Sequence, residues 1–549
     1  MSRTKFILST IFILGLLLRI SFIDKVPPGL NRDEASIGYN AYSVLLTGKD
    51  EYQQFLPLSF KSFGDWKLPL YIYLDIIPIY LFGLTELSTK LPSIIFGSLS
   101  ILITYLFVIE IHKESFKKKI IALLASLFLA ISPWHIHFSR VASEANMAVF
   151  LVCMGLLFFV KGRKTKFYLY LSALLLALSL YTYHGNHIFT SLLFAGLTLI
   201  LILEKYLKNY KKPFFIFLLI FLIPALIIFK ATLFSADRTK ISGLLPLNDP
   251  YSVYENIVLA RLIHSNPSSK LTSIYHNKIS FLVEGAIQGY LKGFSTEFLF
   301  IKGGGNEQHN IPQFGNLYIW ESPFILFGLY LIFRNKLRWR YLLLLWLLIS
   351  PIPASITKDA PHSARMLSFL PLSHILAAIG VTEIIILLRR IPKNIFISSS
   401  IFFLLIINFT FFLDRYFIHF PIVKEASWGN AYKELVNYVS QNYSKYNSIV
   451  MDRPNYSPYI FFLFYQRTDP SYYQKVALRY SITEEGFHHV QKIGKLEFKK
   501  IDWGKDLAVP DRLLISWADT TPPSATYGAI KSIDLKDGHK YFYLINSEL

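Results

Sequence analysis

The chain has one cysteine, Cys153, in 549 residues. A single thiol excludes an intramolecular disulfide framework and a thiolate metal site, so any part exposed outside holds together by packing alone. Charge is also scarce, at 17% of residues, and acids (36) are fewer than bases (56). The resulting net charge of +20 would suit a nucleic-acid partner, but Lys and Arg sit in short clusters between apolar runs and form no continuous basic face. The sequence therefore argues for no nucleic acid. There is no internal repeat and no low-complexity linker. No small-residue cleavage site follows the first apolar stretch, so that stretch reads as a retained helix and not as a secretory signal. Lys302-Gly303-Gly304-Gly305-Asn306 lacks the Gly-Lys-Ser/Thr ending of a phosphate loop and reads as a turn.

What is abundant is hydrophobic sequence: 53% of residues, with a mean hydropathy of +0.40. Apolar runs recur at lengths that cross roughly 30 Å of hydrocarbon as helices. The expected spans are 6–23, 91–111, 119–134, 145–161, 167–184, 187–203, 213–229, 317–333, 341–353, 364–388 and 395–413, about eleven in all. Arg19, near the end of the first, is expected to snorkel to the interface. The loops at 112–119, 161–164, 204–212, 334–340 and 389–393 are basic, so by the positive-inside rule they face the cytoplasm, as does the N-terminus. The outer side then receives long loops at about 24–90 and 230–316 and everything after 413. The apolar stretch 68–83 is read as a helix lying in the outer interface, because a crossing there would turn every later basic loop outward.

Composition changes near Asp414. Short β-rich runs at 448–451, 512–517 and 541–545 alternate with polar turns, and the stretch 431–443 is amphipathic. The expected architecture is an α-helical polytopic membrane protein, residues 1–413, followed by a small extracytoplasmic α/β domain, 414–549.

Candidate chemistry clusters in the outer loops. Asp33 and Glu34 form an adjacent carboxylate pair just beyond the first span, a costly placement unless the pair is solvated or working. Asp65 and Lys67 precede the interfacial helix, and His135, His137, Arg140 and Glu144 lie between the third and fourth spans. His184, His187, Asn306, His309, Lys358, Asp359, His362 and Arg365 complete the set. Carboxylates mixed with cations suit proton abstraction from a nucleophile and stabilisation of an anionic leaving group. Each site also has a plainer role. Asp33 and Glu34 could cap the helix starting near Ala35, and Arg140 could anchor the interface. His135 and His137 read as solvated loop residues, His184 and His187 as interfacial packing, and Lys358 and Arg365 as contacts to lipid headgroups.

The strings Asn31-Arg32-Asp33-Glu34, Phe63-Gly64-Asp65-Trp66-Lys67-Leu68-Pro69-Leu70-Tyr71, Lys90-Leu91-Pro92-Ser93 and Ser132-Pro133-Trp134-His135, continuing to Ser139-Arg140, occur in order. In this the chain resembles the C-type membrane glycosyltransferases related to protein O-mannosyltransferases and lipid A aminoarabinose transferases. The likeness extends over about residues 1–200 and more loosely over 295–375. It implies inverting transfer of a sugar from a polyprenyl-phosphate donor to a lipid, glycan or protein acceptor at the outer face of the plasma membrane. It also implies a catalytic Asp in the first outer loop, matched by Asp33, and an acid in the second, matched by Glu144. Glu34 joins these in positioning sugar or acceptor, while Lys67, Arg140, His362 and Arg365 would meet the donor phosphate. Relatives place a carboxylate directly before a Lys to bind a divalent metal ion or the donor phosphate. Here Trp66 separates Asp65 from Lys67, and His309 is the candidate second ligand. The rival expectation, a multi-spanning transporter or lipid flippase, calls for ionisable residues at span centres or broken helices in paired halves.

Overall fold

The computed structural model describes residues 3–63, 66–112, 117–233, 246–264, 269–388, 394–483 and 487–547. The chain divides into two compact units, one of residues 1–21, 93–139 and 143–413, the other of 22–92, 140–142 and 414–549. The C-terminal segment thus groups with residues 22–92, which hold the expected first outer loop.

The first unit is helical. Among the described residues, six helices are long and apolar enough to cross a membrane: Glu86–Ile111, Glu144–Gly162, His184–Leu203, Lys211–Leu233, Leu367–Leu388 and Phe403–Val423. The protein is a multi-pass membrane protein. The remaining expected spans are shorter, broken or more charged. They are Arg3–Ile20, the bent pair Lys118–Ile131 and Pro133–Ser139, Lys166–Ser179 and Arg340–Ser355, and Glu321–Arg334. The expected loop 230–316 contains a helix, Lys278–Gly293, opened by Asn277 in a capping box with Ser280. Two further helices, Glu321–Arg334 and Leu372–Leu388, meet at reciprocal glycines. A Cβ on Gly328 would overlap the Leu376 carbonyl, and one on Gly380 the Phe324 carbonyl. Small residues let two backbones approach where lipid offers no hydrophobic drive.

The bent pair turns by 58° at Ser132-Pro133. Proline has no N–H, so the carbonyl of Leu129 loses its helical donor. Arg19 replaces it. Its guanidinium donates to Leu129 O (3.2 Å), Ala130 O (3.0 Å) and Gly15 O (2.8 Å), and through Nε to Ser139 Oγ (3.2 Å). It also reaches His135 Nδ1 at 2.6 Å; a guanidinium only donates, so Nδ1 accepts. Arg19 is therefore fully buried and does not snorkel, because the break supplies better acceptors than the interface. His135 and His137, expected in a solvated loop, are buried in the Pro133–Ser139 helix.

The second unit carries nine strands among the described residues. β1 (Phe60–Lys61) and β2 (Trp66–Lys67) form a small antiparallel ribbon. The others are β3 (Ser448–Met451), β4 (Leu478–Arg479), β5 (Val490–Ile493), β6 (Leu496–Phe498), β7 (Arg512–Trp517), β8 (Ala529–Asp534) and β9 (Lys540–Asn546). They form one sheet in the order β4-β5-β6-β3-β7-β9-β8. β3 is parallel to both its neighbours, and the remaining pairings are antiparallel. In central β3, Ile449, Val450 and Met451 are all buried, the continuous apolar run of a strand covered on both faces. The amphipathic stretch becomes the helix Asn430–Asn442, which buries Ala431, Tyr432, Leu435, Val436 and Val439. The helix Pro69–Phe82 also belongs here. At 14 residues it is about 21 Å long, short of the hydrocarbon thickness.

Candidate active site

In the second unit Asn31 is the N-cap of the helix Arg32–Thr47. Its side chain accepts from Glu34 N (2.9 Å), and Glu34 Oε2 accepts from Asn31 N (3.0 Å), a reciprocal capping box. The other Glu34 oxygen accepts from Ala142 N at 2.8 Å. Glu34 is buried, and burial raises its pKa, with Lys90 opposing the rise. Successive helical residues point about 100° apart, so the neighbour of a buried Glu34 turns outward. The Asp33 side chain is 46% exposed and its Oδ1 pairs with Lys67 Nζ at 2.9 Å, while Lys67 is only 4% exposed. The short β1–β2 ribbon holds Lys67 at that depth. Arg32 lies over the Phe63 ring at 5.3 Å, and Lys90 Nζ donates to Gly29 O at 2.9 Å. Gly29, at φ +85°, has no room for a Cβ beside the Asn430 backbone.

The plain capping role expected for the acid pair is therefore filled by Asn31 and Glu34, which leaves Asp33 outside the cap. Glu34 has both oxygens engaged by backbone N–H groups. Arg140, expected from sequence to meet the donor phosphate, is tied to the backbone. It is fully buried, donates to Val26 O (2.7 Å) and Phe22 O (3.2 Å), and lies over the Phe417 ring at 4.9 Å. These contacts fasten the start of the segment 22–92.

Sequence reasoning passed over a second acid pair in this unit, Asp50-Glu51. Glu51 is fully buried, accepts from Tyr459 Oη (2.8 Å) and Asn40 Nδ2 (3.1 Å), and burial pushes it up to about 7. The Asp50 carboxyl rises to about 6 for the same reason. The signal was available, since Asp50-Glu51 repeats the dipeptide that singled out Asp33.

In the first unit Glu144 opens the helix Glu144–Gly162 behind the N-cap Ser143. His309 and His362 meet edge to face with ring centroids 5.0 Å apart, and His362 Nε2 is 3.6 Å from Asp359 Oδ2. Arg365 ion-pairs with Asp359 and donates to Thr357 Oγ1 at 2.8 Å. Burial first, then His309 and Arg365, hold the His362 imidazole well below its ordinary pKa. His137 Nε2 lies 2.8 Å from Gln308 O. The Gly-rich stretch is a turn, in which Gly304 N donates to Asn310 Oδ1 (2.7 Å) and Asn310 Nδ2 to Asn306 O (2.7 Å). His187 packs on Phe229 and His184. Asp65 lies outside the described residues. Among those described, no three His, Cys, Asp or Glu side chains stand close enough to hold a metal ion, so His309 has no ligand set to join there.

No family model and no curated protein sequence matches this chain. Solved structures do. The fold is that of the C-type membrane glycosyltransferases, with a helical membrane part and a small sheet-bearing domain. ArnT from Cupriavidus metallidurans bound to undecaprenyl phosphate matches at a TM-score of 0.52 and 10% identity, covering 99% of this chain and 98% of that one. Its apo state matches at 0.51 and 10%, covering 99% and 97%. AglB, an oligosaccharyltransferase from Archaeoglobus fulgidus solved with an inhibitory peptide and a dolichol-phosphate, matches at 0.46 and 14%. That match covers 84% of this chain and 63% of AglB.

Proposed function

We propose that the protein is an inverting glycosyltransferase of the plasma membrane. It takes a sugar from a polyprenyl-phosphate donor and passes it to a lipid, glycan or protein acceptor on the outer face, with the N-terminus cytoplasmic. The observation that carries this reading is the Asp33–Lys67 pair, a half-exposed carboxylate at a helix start held by a buried lysine. The shared fold with ArnT, solved with undecaprenyl phosphate bound, supports the donor class.

In this mechanism an acceptor nucleophile attacks the anomeric carbon from the face opposite the phosphate. Its proton passes to Asp33, the bond from the anomeric carbon to the phosphate oxygen breaks, and polyprenyl phosphate leaves as an anion. Lys67 stabilises that anion. Fixed cations in a poorly hydrated groove act where negative charge accumulates. Glu144 orients sugar or acceptor. No step is assigned to a metal ion.

The test is transfer by the purified chain in lipid nanodiscs supplied with polyprenyl-phosphate sugars, with Asp33→Asn alongside wild type. The variant keeps the shape of the side chain and loses its proton affinity, so the rate should fall about 10²–10⁴-fold with unfolding temperature unchanged. Wild-type turnover by the folded variant would remove Asp33 from the mechanism.

A further inference from the structure

Three basic loops far apart in sequence converge on one cavity of about 440 Å³ within the first unit. Its volume falls in the ordinary range of ligand sites, about 300–1,000 Å³. Lys117, Arg163, Lys164, Lys336 and Arg338 line it, against two acids, Glu110 and Glu383. Lys117 is paired with Glu383 at 2.5 Å. The lining therefore carries more positive charge than it neutralises. The tendency of short cytoplasmic loops to be basic accounts for the residue types. It does not account for their meeting around one cavity at the helix ends.

Two groups in the lining have buried polar atoms without a hydrogen bond. Arg163 ion-pairs with Glu204 through one terminal nitrogen, while its Nε and its other terminal nitrogen are buried without a hydrogen bond. His112 is 7% exposed, lines the same cavity, and has Nε2 buried and unbonded. Burial pushes its pKa down to about 4, so the imidazole is neutral. Buried polar groups are ordinarily satisfied, and each one left unmet is costly. An acceptor-rich anion would satisfy Arg163, and Asn335 and Thr382 add neutral polar groups to the wall. Lys336 and Arg338 are exposed at the rim.

We infer that this cavity binds a phosphate-monoester group, at a site made of residues other than those assigned to sugar transfer. The group belongs either to a lipid headgroup entering along the helix ends or to a soluble phosphate; basic pockets between membrane helices commonly hold such headgroups.

The test uses the full chain in phosphatidylcholine nanodiscs doped with phosphatidate, with retained lipid read by native mass spectrometry. Wild type should retain phosphatidate about tenfold or more over phosphatidylcholine, and Arg163→Gln with Arg338→Gln should abolish that preference. Lys336→Gln with Arg338→Gln, confined to the exposed rim, reports the same loss should the first variant fail to fold. Asp33→Asn should bind as wild type does, which separates this site from the transfer reading. In a parallel arm, millimolar inorganic phosphate that displaces phosphatidate, or raises the unfolding temperature of wild type and not of the rim variant, assigns the site to soluble phosphate. Retention unaffected by phosphate assigns it to the lipid. Equal retention of both lipids with no effect of phosphate, or retention unchanged in both double variants, would overturn the inference and leave these cations as determinants of orientation alone.

Discussion

The turn at Asn31–Glu34 and the break at Ser132–Pro133 both place charge at a helix end, and they use it in opposite ways. At the break, Arg19 is buried and its donors go to the backbone carbonyls that proline strands. At the turn, the backbone groups are satisfied first, by Asn31 and Glu34, and Asp33 is left half-exposed against the side chain of Lys67. A charge spent on backbone is architecture. A charge held by another side chain, as Asp33 is by Lys67, keeps about half of its surface open to solvent.

The largest effect expected from this contrast is at the break. Arg19→Leu would leave the carbonyls of Leu129 and Ala130 buried without that donor, at about 1–3 kcal/mol each, and Arg19→Lys should restore part of the loss. Thermal unfolding in detergent measures both, and an Arg19→Leu protein as stable as wild type would break the comparison.

The two cations expected alike from sequence should then separate. Arg140→Gln should lower stability by about 1–3 kcal/mol, with the Michaelis constant for donor unchanged in the protein that remains folded. Lys67→Gln should raise that constant about tenfold or more, from the loss of a charged hydrogen bond of about 1.5–3 kcal/mol, with a smaller effect on unfolding. Donor titrations paired with melting curves decide it. Matching profiles for the two variants would mean that burial on backbone carbonyls does not distinguish them.

The smallest effect concerns Glu51, whose carboxyl is raised from 4.5 to about 7 by burial. The folded state holds this proton more tightly than the unfolded chain, so the associated stability is present in full below about pH 4.5. It is lost as pH rises through about 7, with a slope of at most about 1.4 kcal/mol per pH unit. Glu51→Gln should flatten the stability profile across that window. A slope unchanged in the variant would assign the titration to another group, with Asp50, raised to about 6, the first to examine.

Much of the fold was legible because apolar runs and β-rich runs carry their own periodicity. The runs at 448–451, 512–517 and 541–545 became β3, β7 and β9, which are neighbours in the sheet. The site was less legible for a specific reason. Lys67 and Arg140 are both cations beside an expected membrane edge, and nothing local in the sequence says that one meets a carboxylate while the other meets the carbonyls of Phe22 and Val26. His135 and His137 were misplaced similarly. The helix Pro133–Ser139 is seven residues long, too short to show a period, and only packing reveals that it is buried.

By itself the sequence determined that this is a multi-pass membrane protein with a β-rich C-terminal segment. Hydrophobic length and periodicity are local properties, and the bilayer admits few ways to satisfy them. It also placed a helix start just after the first acid pair, near Ala35, while the structure moved that start to Arg32 behind Asn31. Only the tertiary structure decided which charges meet backbone and which meet another side chain. That depends on donors and acceptors brought together across the chain, as Asp33 meets Lys67 from 34 residues away and Arg19 meets Ala130 from 111.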